Sequence, residues 1–184
     1  MRIVLARHGE TKWSASGKHT STTDVPLTER GRAAAGELRG RLADREFALV
    51  LSSPRARARE TAKLAGFEPE LEPDLAEVDY GDYEGLTTPE IREDRPGWSL
   101  WTDGSPGGET LAEAGARADW VLERALAADG DVALFAHGHI LRVLAARWLE
   151  LPAGRGGSFA LDTASLSELG FERENRVISH WNSA

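Results

Sequence analysis

Cysteine is absent from this chain of 184 residues, and its absence excludes two kinds of site. Without a thiol, the protein can form neither a disulfide framework nor a thiolate metal centre. His137 and His139 lie close in sequence, but we expect alternate strand positions to point to opposite faces, and no third ligand stands out. We therefore predict no metal and no other cofactor. The missing cysteine also fits a cytoplasmic protein.

An excess of basic residues and long apolar segments are missing as well. The 22 Lys and Arg residues are outnumbered by 30 Asp and Glu residues, which gives a formal net charge of −8. An acidic surface repels nucleic acids and anionic membranes, so neither is an expected partner. The apolar run near the N-terminus is too short for a signal peptide, and no stretch approaches the length of a transmembrane helix.

The remaining composition is that of an ordinary globular protein, with 41% hydrophobic and 28% charged residues. The length favours one domain over residues 1–184. Short runs rich in Ile, Val and Leu predict buried strands at residues 1–6, 48–53 and 131–136, and alternation predicts one or two more between 159 and 181. Amphipathic segments between these runs predict helices. The alternation of strands and helices predicts an α/β fold, a three-layer α/β/α sandwich with a mostly parallel central sheet.

Several residues mark where the helices begin. Thr28 is expected to cap one helix, and Thr110 with Glu113 has the spacing of a capping box. Ser53 and Pro54 are expected to open another helix, with the serine as N-cap. Residues 12–26 and 98–109 are rich in Ser, Thr, Gly and Pro and are predicted to be loops, the second with Trp98 and Trp101 at the mouth of a site.

Three of the predicted strands end on polar residues. The first strand runs into Arg7 and His8, the second into Ser53 with Arg57 one helical turn later, and the third into His137. Because ligands bind outside the carboxyl ends of parallel strands, we expect these side chains to meet at one edge of the sheet.

That edge would be a concentrated cationic pocket in an acidic protein. Arginines bind phosphate oxygens through paired hydrogen bonds, and histidine can attack phosphorus or move a proton. An acid is still needed for the leaving oxygen, and the segment LAEVDYGDYEG offers four candidates, namely Glu77, Asp79, Asp82 and Glu84. Taken singly, each histidine could instead be a structural residue, and the arginines after the second strand could form a solvated helix face.

Five segments, in order along nearly the whole chain, resemble the motifs of the histidine phosphatase superfamily, which has the phosphoglycerate-mutase-like fold. The segments are ARHGETKWS, DVPLTERG, SSPRARARETA, LAEVDYGDYEGLTTPEI and LFAHGHILRVLAARWL. Five ordered motifs at compatible spacing are a much stronger signal than any one of them alone.

The resemblance implies a role for each residue of the pocket. His8 would attack phosphorus and form a phosphohistidine. Arg7, Arg57 and His137 would hold the phosphoryl group and its transition-state charge. Glu77 would protonate the departing alkoxide and then take a proton from the attacking water. None of these steps uses a metal.

The chain departs from the common family pattern after the first motif. That pattern has Trp-Asn and later Gln-Gly, where this chain has Trp13-Ser14 and Thr20-Ser21. The departure puts the usual asparagine contact with phosphate in doubt, and Ser14 is the candidate for a shorter hydroxyl contact.

This variant is similar to the branch that contains sedoheptulose-1,7-bisphosphatase-type enzymes and actinobacterial acid phosphatases. In that branch, the residues that match His19, Thr20, Tyr80 and Arg142 line the substrate side. Arg142 lies in the first turn of the helix after His137, so it is a candidate to bind a second phosphate.

The resulting hypothesis is a phosphomonoesterase for small phosphorylated metabolites such as sugar phosphates or bisphosphates. Alternatives are a phosphoglycerate mutase and a non-catalytic binder of phosphorylated ligands. The span between Glu77 and His137 is short for the insertions that mutases usually carry, which favours hydrolysis. We expect a bell-shaped pH profile with an acidic-to-neutral optimum if the surroundings raise the pKa of Glu77. The sequence leaves the oligomeric state open, with a homodimer among the possibilities.

Overall fold

One six-stranded sheet forms the centre of the computed structural model, which describes residues 1–183. The strands are β1 (Ile3–Arg7), β2 (Leu49–Ser52), β3 (Glu70–Leu71), β4 (Val132–Ala136), β5 (Leu166–Glu172) and β6 (Asn175–Ser183), in the order β3-β2-β4-β1-β5-β6. Neighbours pair in parallel from β3 to β1, whereas β5 is antiparallel to both β1 and β6. Only β5 therefore runs against the rest of this sheet, and the prediction of a mostly parallel sheet is confirmed.

Seven α-helices accompany the sheet within the same residues. They are α1 (Lys12–Ser16), α2 (Glu29–Leu42), α3 (Ala56–Leu64), α4 (Thr88–Asp94), α5 (Leu100–Asp103), α6 (Leu111–Leu126) and α7 (Gly138–Trp148). Thr28 caps α2, and Thr110 forms the predicted capping box of α6 with Glu113. None of the helices in this described part of the chain is both long enough and apolar enough to cross a membrane.

The side chains of β1 alternate between two hydrophobic cores. Ile3 and Leu5 pack in the core that contains the buried faces of α6 and α7. Val4 and Ala6 pack in a second core with Leu38 of α2 and residues of α3. Because successive side chains of a strand point to opposite faces, helices cover both faces of the sheet. The three-layer arrangement predicted from the sequence is confirmed.

Both predicted loops contain a short helix. The helix α1 lies inside residues 12–26, where the Thr11 hydroxyl accepts a hydrogen bond from the Ser14 N–H at 3.0 Å and Ser14 Oγ accepts one from the Thr11 N–H at 2.8 Å. The helix α5 lies inside residues 98–109. Helices this short show no hydrophobic period, so their caps were the available signal.

The expected cap of α3 is wrong. That helix begins at Ala56 with Arg55 as N-cap, and no side chain caps it. The Ser53 hydroxyl accepts a long hydrogen bond from the N–H of Arg55, before the first turn, at 3.3 Å, and its shorter contact is 2.7 Å to His137 Nε2 at the end of the neighbouring strand β4. A partner 84 positions away in the chain therefore uses the hydroxyl that local sequence assigned to the helix.

Candidate active site

The carboxyl ends of β1, β2 and β4 bring their polar residues together, as the sequence predicted. The His8 N–H donates to the Ala136 carbonyl at 3.0 Å, and the Ser53 N–H donates to the Phe135 carbonyl at 2.9 Å, so the ladder continues past the strands. The imidazole rings of His8 and His137 stand edge to face, with centroids 5.1 Å apart. Both rings therefore have their positions set by the main chain of the sheet.

The tautomer of His8 follows from one hydrogen bond. His8 Nδ1 lies 2.7 Å from the Gly9 carbonyl oxygen, which can only accept, so Nδ1 carries the hydrogen. Nε2 then keeps its lone pair. Burial, together with the charges of Arg7 and Arg57, lowers the pKa of His8 from its ordinary 6.5 to about 3. The imidazole is neutral through the acidic range, as a nucleophile requires.

The main chain after His8 is packed closely against the start of α2. A Cβ atom on Gly9 would lie 2.3 Å from the Gly31 carbonyl oxygen, and one on Gly31 would lie 2.1 Å from the Glu10 carbonyl oxygen. The Gly9 N–H also donates to Thr61 Oγ1 of α3 at 3.0 Å. Neither glycine has room for a side chain, so the main chain next to His8 is fixed against α2.

The depressed pKa of His8 predicts an acid-sensitive fold. The unfolded chain protonates His8 at its ordinary pKa, whereas the folded protein does so only near pH 3, so acid favours unfolding between these values. From pH 6.5 to 5 the loss in the free energy of unfolding should be about 2 kcal/mol from His8. His8→Asn should remove that part of the loss. Urea unfolding of both proteins at pH 5 and pH 7 measures it, and equal losses in the two proteins would contradict the prediction.

Arg7 presents a buried donor beside His8. One terminal nitrogen of its guanidinium donates to the Leu161 carbonyl, and the group packs against Gly138 at the start of α7, where a Cβ atom would lie 3.3 Å from Cζ. Within residues 1–183, Arg7 Nε has no acceptor although it is buried. Arg7 also lines the cavity beside His8, where a guanidinium can bind an anionic ligand.

Arg57 and His137 are the next two predicted site residues, and their side chains are hydrogen-bonded to each other. Arg57 is fully buried, and its Nε donates to His137 Nδ1 at 3.2 Å. Its terminal nitrogens donate to the carbonyls of Thr23 at 3.0 Å and Thr20 at 3.1 Å. Since Nδ1 accepts, the hydrogen of His137 is on Nε2, which donates to Ser53 Oγ. Burial and the neighbouring cations Arg57 and Arg7 lower the pKa of His137 well below its ordinary value.

Glu77 lies across from His8 and binds the first turn of α7. Its Oε2 accepts from the His139 N–H at 3.0 Å, and its Oε1 accepts from the N–H groups of Ile140 at 2.8 Å and Val78 at 3.0 Å. Burial alone would raise the pKa of Glu77, but the hydrogen bonds from His139 lower it well below its ordinary value. The expectation that the surroundings raise this pKa is wrong, because three N–H donors and a helix N-terminus favour the ionised carboxylate.

A cavity of about 230 Å³ opens between these groups. Its lining includes three of the five predicted catalytic residues and all five predicted substrate residues, namely Arg7, His8, Glu77, Ser14, His19, Thr20, Tyr80 and Arg142. Arg57 and His137 are absent from the lining, since each is turned toward the other. Lys18 and His139 line the cavity too, and sequence reasoning gave neither of them a role there.

Most of the substrate-side residues are themselves held by hydrogen bonds. His19 Nδ1 donates to the Leu86 carbonyl at 2.8 Å, which leaves Nε2 with its lone pair. The Tyr80 hydroxyl is 2.7 Å from His139 Nδ1, and Thr20 Oγ1 donates to the Lys18 carbonyl at 3.0 Å. The Ser14 hydroxyl donates to the Thr11 carbonyl at 3.1 Å while it caps α1.

Arg142 lies where the first cavity meets a second one. Its Nε donates to the Gly156 carbonyl at 3.1 Å, and its guanidinium stacks 4.4 Å from the ring centre of Trp101. A second cavity of about 270 Å³ shares Arg142, His139 and His19 with the first and adds Trp98 and Trp101. Both tryptophans line this second cavity, which we call the outer end of the site. Trp98 is only 2% exposed, and its position at a mouth stays a prediction.

The other acids of the same segment have different surroundings. Glu84 accepts hydrogen bonds from the N–H groups of Ser21 and Thr23, and Asp79 accepts one from the Gly81 N–H at 2.9 Å. Of the four candidates, Glu77 is the one in the lining of the first cavity. Across residues 1–183, no group of three or more His, Cys, Asp or Glu side chains is arranged to hold a metal ion.

Comparison with known proteins identifies relatives over the full length of the chain. The model of the histidine phosphatase superfamily (branch 1) matches residues 3–184. An acid phosphatase of Mycobacterium tuberculosis is 46% identical over 184 residues, with 97% of this chain and 90% of that protein covered. Sedoheptulose 1,7-bisphosphatase of Saccharomyces cerevisiae is 36% identical over 189 residues, with 82% of this chain and 68% of that protein covered.

A solved structure and further relatives complete the comparison. An open reading frame product of Mycobacterium tuberculosis has a TM-score of 0.96 at 44% identity, with 100% of this chain and 97% of that chain covered. Proteins of Photorhabdus laumondii and Yersinia named as probable phosphoglycerate mutases are 30% identical over 193 residues, which covers 98% of this chain and 90% of theirs.

Proposed function

The chain belongs to the histidine phosphatase superfamily, and we propose that it is a phosphomonoesterase that acts through a phosphohistidine on His8. One observation carries this proposal: a neutral imidazole of fixed tautomer and the guanidinium of Arg7 line the same cavity. His8 lines the cavity and its Nδ1 is bound to Gly9, so Nε2 is the nitrogen available to a ligand.

In the first step, the lone pair of His8 Nε2 forms a bond to phosphorus while the bond from phosphorus to the ester oxygen breaks. Arg7 neutralises the negative charge of the phosphoryl oxygens as it spreads in the transition state. The ester oxygen leaves with its electron pair and takes the proton that Glu77 delivers. In the second step, water attacks phosphorus, Glu77 takes its proton, and the electron pair of the N–P bond returns to His8.

Arg57 and His137 are the two remaining residues of the predicted phosphate site. Direct contact between either of them and a phosphoryl group stays a prediction. Their hydrogen bonds to each other and to the carbonyls of residues 20 and 23 support an additional role, which is to hold the residues next to His8 in fixed positions. Fixed surroundings suit in-line attack, which tolerates little misalignment of the nucleophile.

For the substrate, we propose small phosphorylated metabolites, with sugar phosphates or bisphosphates first. Three cations, Arg7, Lys18 and Arg142, line one cavity of about 230 Å³, which suits a compact ligand with more than one anionic group. Phosphate release should be measured on sedoheptulose and fructose bisphosphates, phosphoglycerates and nucleotides. Release from none of them would contradict the proposed function.

A phosphoglycerate mutase is the second candidate, and the relatives at 30% identity favour it. A mutase must protect the phosphohistidine from water until it is transferred back. Incubation with 3-phosphoglycerate distinguishes the two, because a mutase yields an isomer and a phosphatase yields free phosphate.

Arg142 is the residue we expect to recognise a second anionic group. Arg142→Ala should lower kcat/KM for bisphosphates about 10- to 100-fold, the effect of losing one hydrogen bond to a charged group. Monophosphates should change about threefold or less. Arg59→Ala, an exposed position of α3, is the matched control. An equal loss for both substrate classes would exclude a second-phosphate role.

Three broader features complete the proposal. We propose that residues 1–184 act as one histidine phosphatase domain, which the match over residues 3–184 supports. A cytoplasmic location and a homodimeric state stay predictions.

A further inference from the structure

His139 has no role in the mechanism described so far, although it lies beside Glu77. Its Nδ1 is 2.7 Å from the Tyr80 hydroxyl oxygen and 3.8 Å from Glu77 Oε2. Its own N–H donates to the same carboxylate oxygen at 3.0 Å. The side chain is 23% exposed and lines both cavities, so it lies between the phosphate end of the site and the outer end.

The hydrogen bonds of Glu77 leave the reaction short of a proton. Three N–H groups point at the carboxylate, two of them from the first turn of α7. Such donors favour the ionised form, which has no proton to give. An alkoxide is a poor leaving group unless a proton reaches it as the bond to phosphorus breaks. A second group that carries a proton is therefore needed next to Glu77.

We propose that His139 carries the proton that Glu77 delivers to the leaving group, with the two side chains acting as one acid. The proposal rests on the proposed phosphatase function. Before the first step, the shared proton is on His139 Nδ1, 2.7 Å from the Tyr80 oxygen and 3.8 Å from Glu77 Oε2. A turn of the carboxylate or the imidazole must close the longer distance for the proton to pass. As the P–O bond breaks, the proton passes to the carboxylate and then to the ester oxygen, which keeps the electron pair. In the second step, Glu77 takes a proton from water, and His139 receives it.

The groups that face His139 suit this role. Glu77 is the one carboxylate in the lining of the two cavities within the described chain, so it is the acceptor to which His139 can pass a proton. Four cations line the same two cavities as His139: Arg7 at the end of β1, Lys18 after α1, Arg92 on α4 and Arg142 on α7 itself.

Neutral rings enclose the imidazole on the remaining sides. His19 stacks on His139 with centroids 6.1 Å apart, and Trp101 packs at 5.1 Å. The Tyr80 ring stands edge to face at 5.6 Å, and burial raises the pKa of its hydroxyl well above the ordinary value. Tyr80 therefore stays a phenol, which holds His139 Nδ1 in place but does not itself supply the proton.

The test compares two substrates that differ in their need for a proton. Glycerol phosphate leaves as an alkoxide, whereas p-nitrophenyl phosphate leaves as a stable phenolate. His139→Gln should lower kcat for glycerol phosphate about 100-fold, the lower end of the range of general acid catalysis, with little change in KM. Turnover of p-nitrophenyl phosphate should change about threefold or less. The basic limb of the glycerol phosphate profile should move to lower pH.

Two further variants make the comparison decisive. His19→Gln changes another histidine of the cavity, one with no contact to Glu77, and should affect both substrates by the same factor. Tyr80→Phe keeps the His139 side chain but removes the hydroxyl that holds its Nδ1. This variant should repeat the substrate difference on a smaller scale, even if His139→Gln fails to fold.

The outcomes separate this inference from the function it rests on. Equal losses for both substrates in His139→Gln, with an unchanged pH profile, would mean that His139 is only structural. No loss for either substrate would mean that the substrate binds already protonated and supplies the proton itself. Both outcomes overturn the inference and leave the phosphatase proposal standing. The phosphatase proposal fails only if the parent protein releases phosphate from neither of these substrates and from none of the metabolites named for the proposed function.

Discussion

His8→Asn is expected to slow phosphate release by about 10⁵-fold or more, the scale on which removal of a covalent nucleophile acts. The reason is that Asn has no lone pair able to form a bond to phosphorus, although it can keep a hydrogen bond to the Gly9 carbonyl. Stopped reactions of the parent, quenched in alkali, should contain phosphate on one histidine, and those of the variant should contain none. The binding of inorganic phosphate should change much less, since Arg7 remains.

His180→Asn is the control for this experiment, because His180 is an exposed residue of β6. Its turnover should equal that of the parent. Full activity in His8→Asn would exclude the nucleophile. A parent that binds phosphorylated ligands but never forms the phosphohistidine would instead favour a non-catalytic binder.

Glu77→Gln is expected to have the second largest effect, a loss of about 10²- to 10⁴-fold in kcat for alkyl phosphates. The amide can neither protonate the leaving oxygen nor take a proton from water. With p-nitrophenyl phosphate, the first step needs no proton, so a burst of nitrophenolate should precede slow turnover. The phosphohistidine should accumulate during that burst.

The same variant should also lower stability. The carboxylate accepts hydrogen bonds from three N–H groups, whereas one end of the Gln amide is an NH₂ that cannot accept. At least one buried N–H group then has no acceptor, which costs about 1 to 3 kcal/mol. Glu93→Gln, at an exposed position of α4, is the matched control and should change neither kcat nor the free energy of unfolding. Turnover of alkyl phosphates at the parent rate in Glu77→Gln would contradict the assignment of Glu77.

The sequence was sufficient to predict where the reactive residues meet, because strand period and strand ends are local properties. Arg7, His8 and His137 each follow or end a run of buried aliphatic residues, and parallel pairing brings such ends together. The predicted cap at Ser53 failed for the opposite reason. Its hydroxyl has a partner that is distant in the chain, and no local pattern reports such a contact.

The ionisation of Glu77 was also beyond local reasoning. A buried carboxylate suggests a raised pKa, and the opposite shift comes from N–H groups of α7, more than 60 positions away. The hydrogen bonds of Arg57 were likewise beyond local reasoning. Its residue type predicted a cation for phosphate, but its hydrogen bonds to main-chain carbonyls and to His137 depend on how a loop and a strand end meet.

The contact between Gly9 and Gly31 has a consequence for how new substrates could be acquired. It binds the reactive histidine to the helical layer behind the sheet, so insertions or exchanges there would disturb the chemistry first. The outer end of the site is made of segments near Lys18, Trp98 and Trp101, which belong to loops and short helices. Laboratory evolution of specificity should therefore accumulate changes in those segments while the residues around Gly9 stay constant.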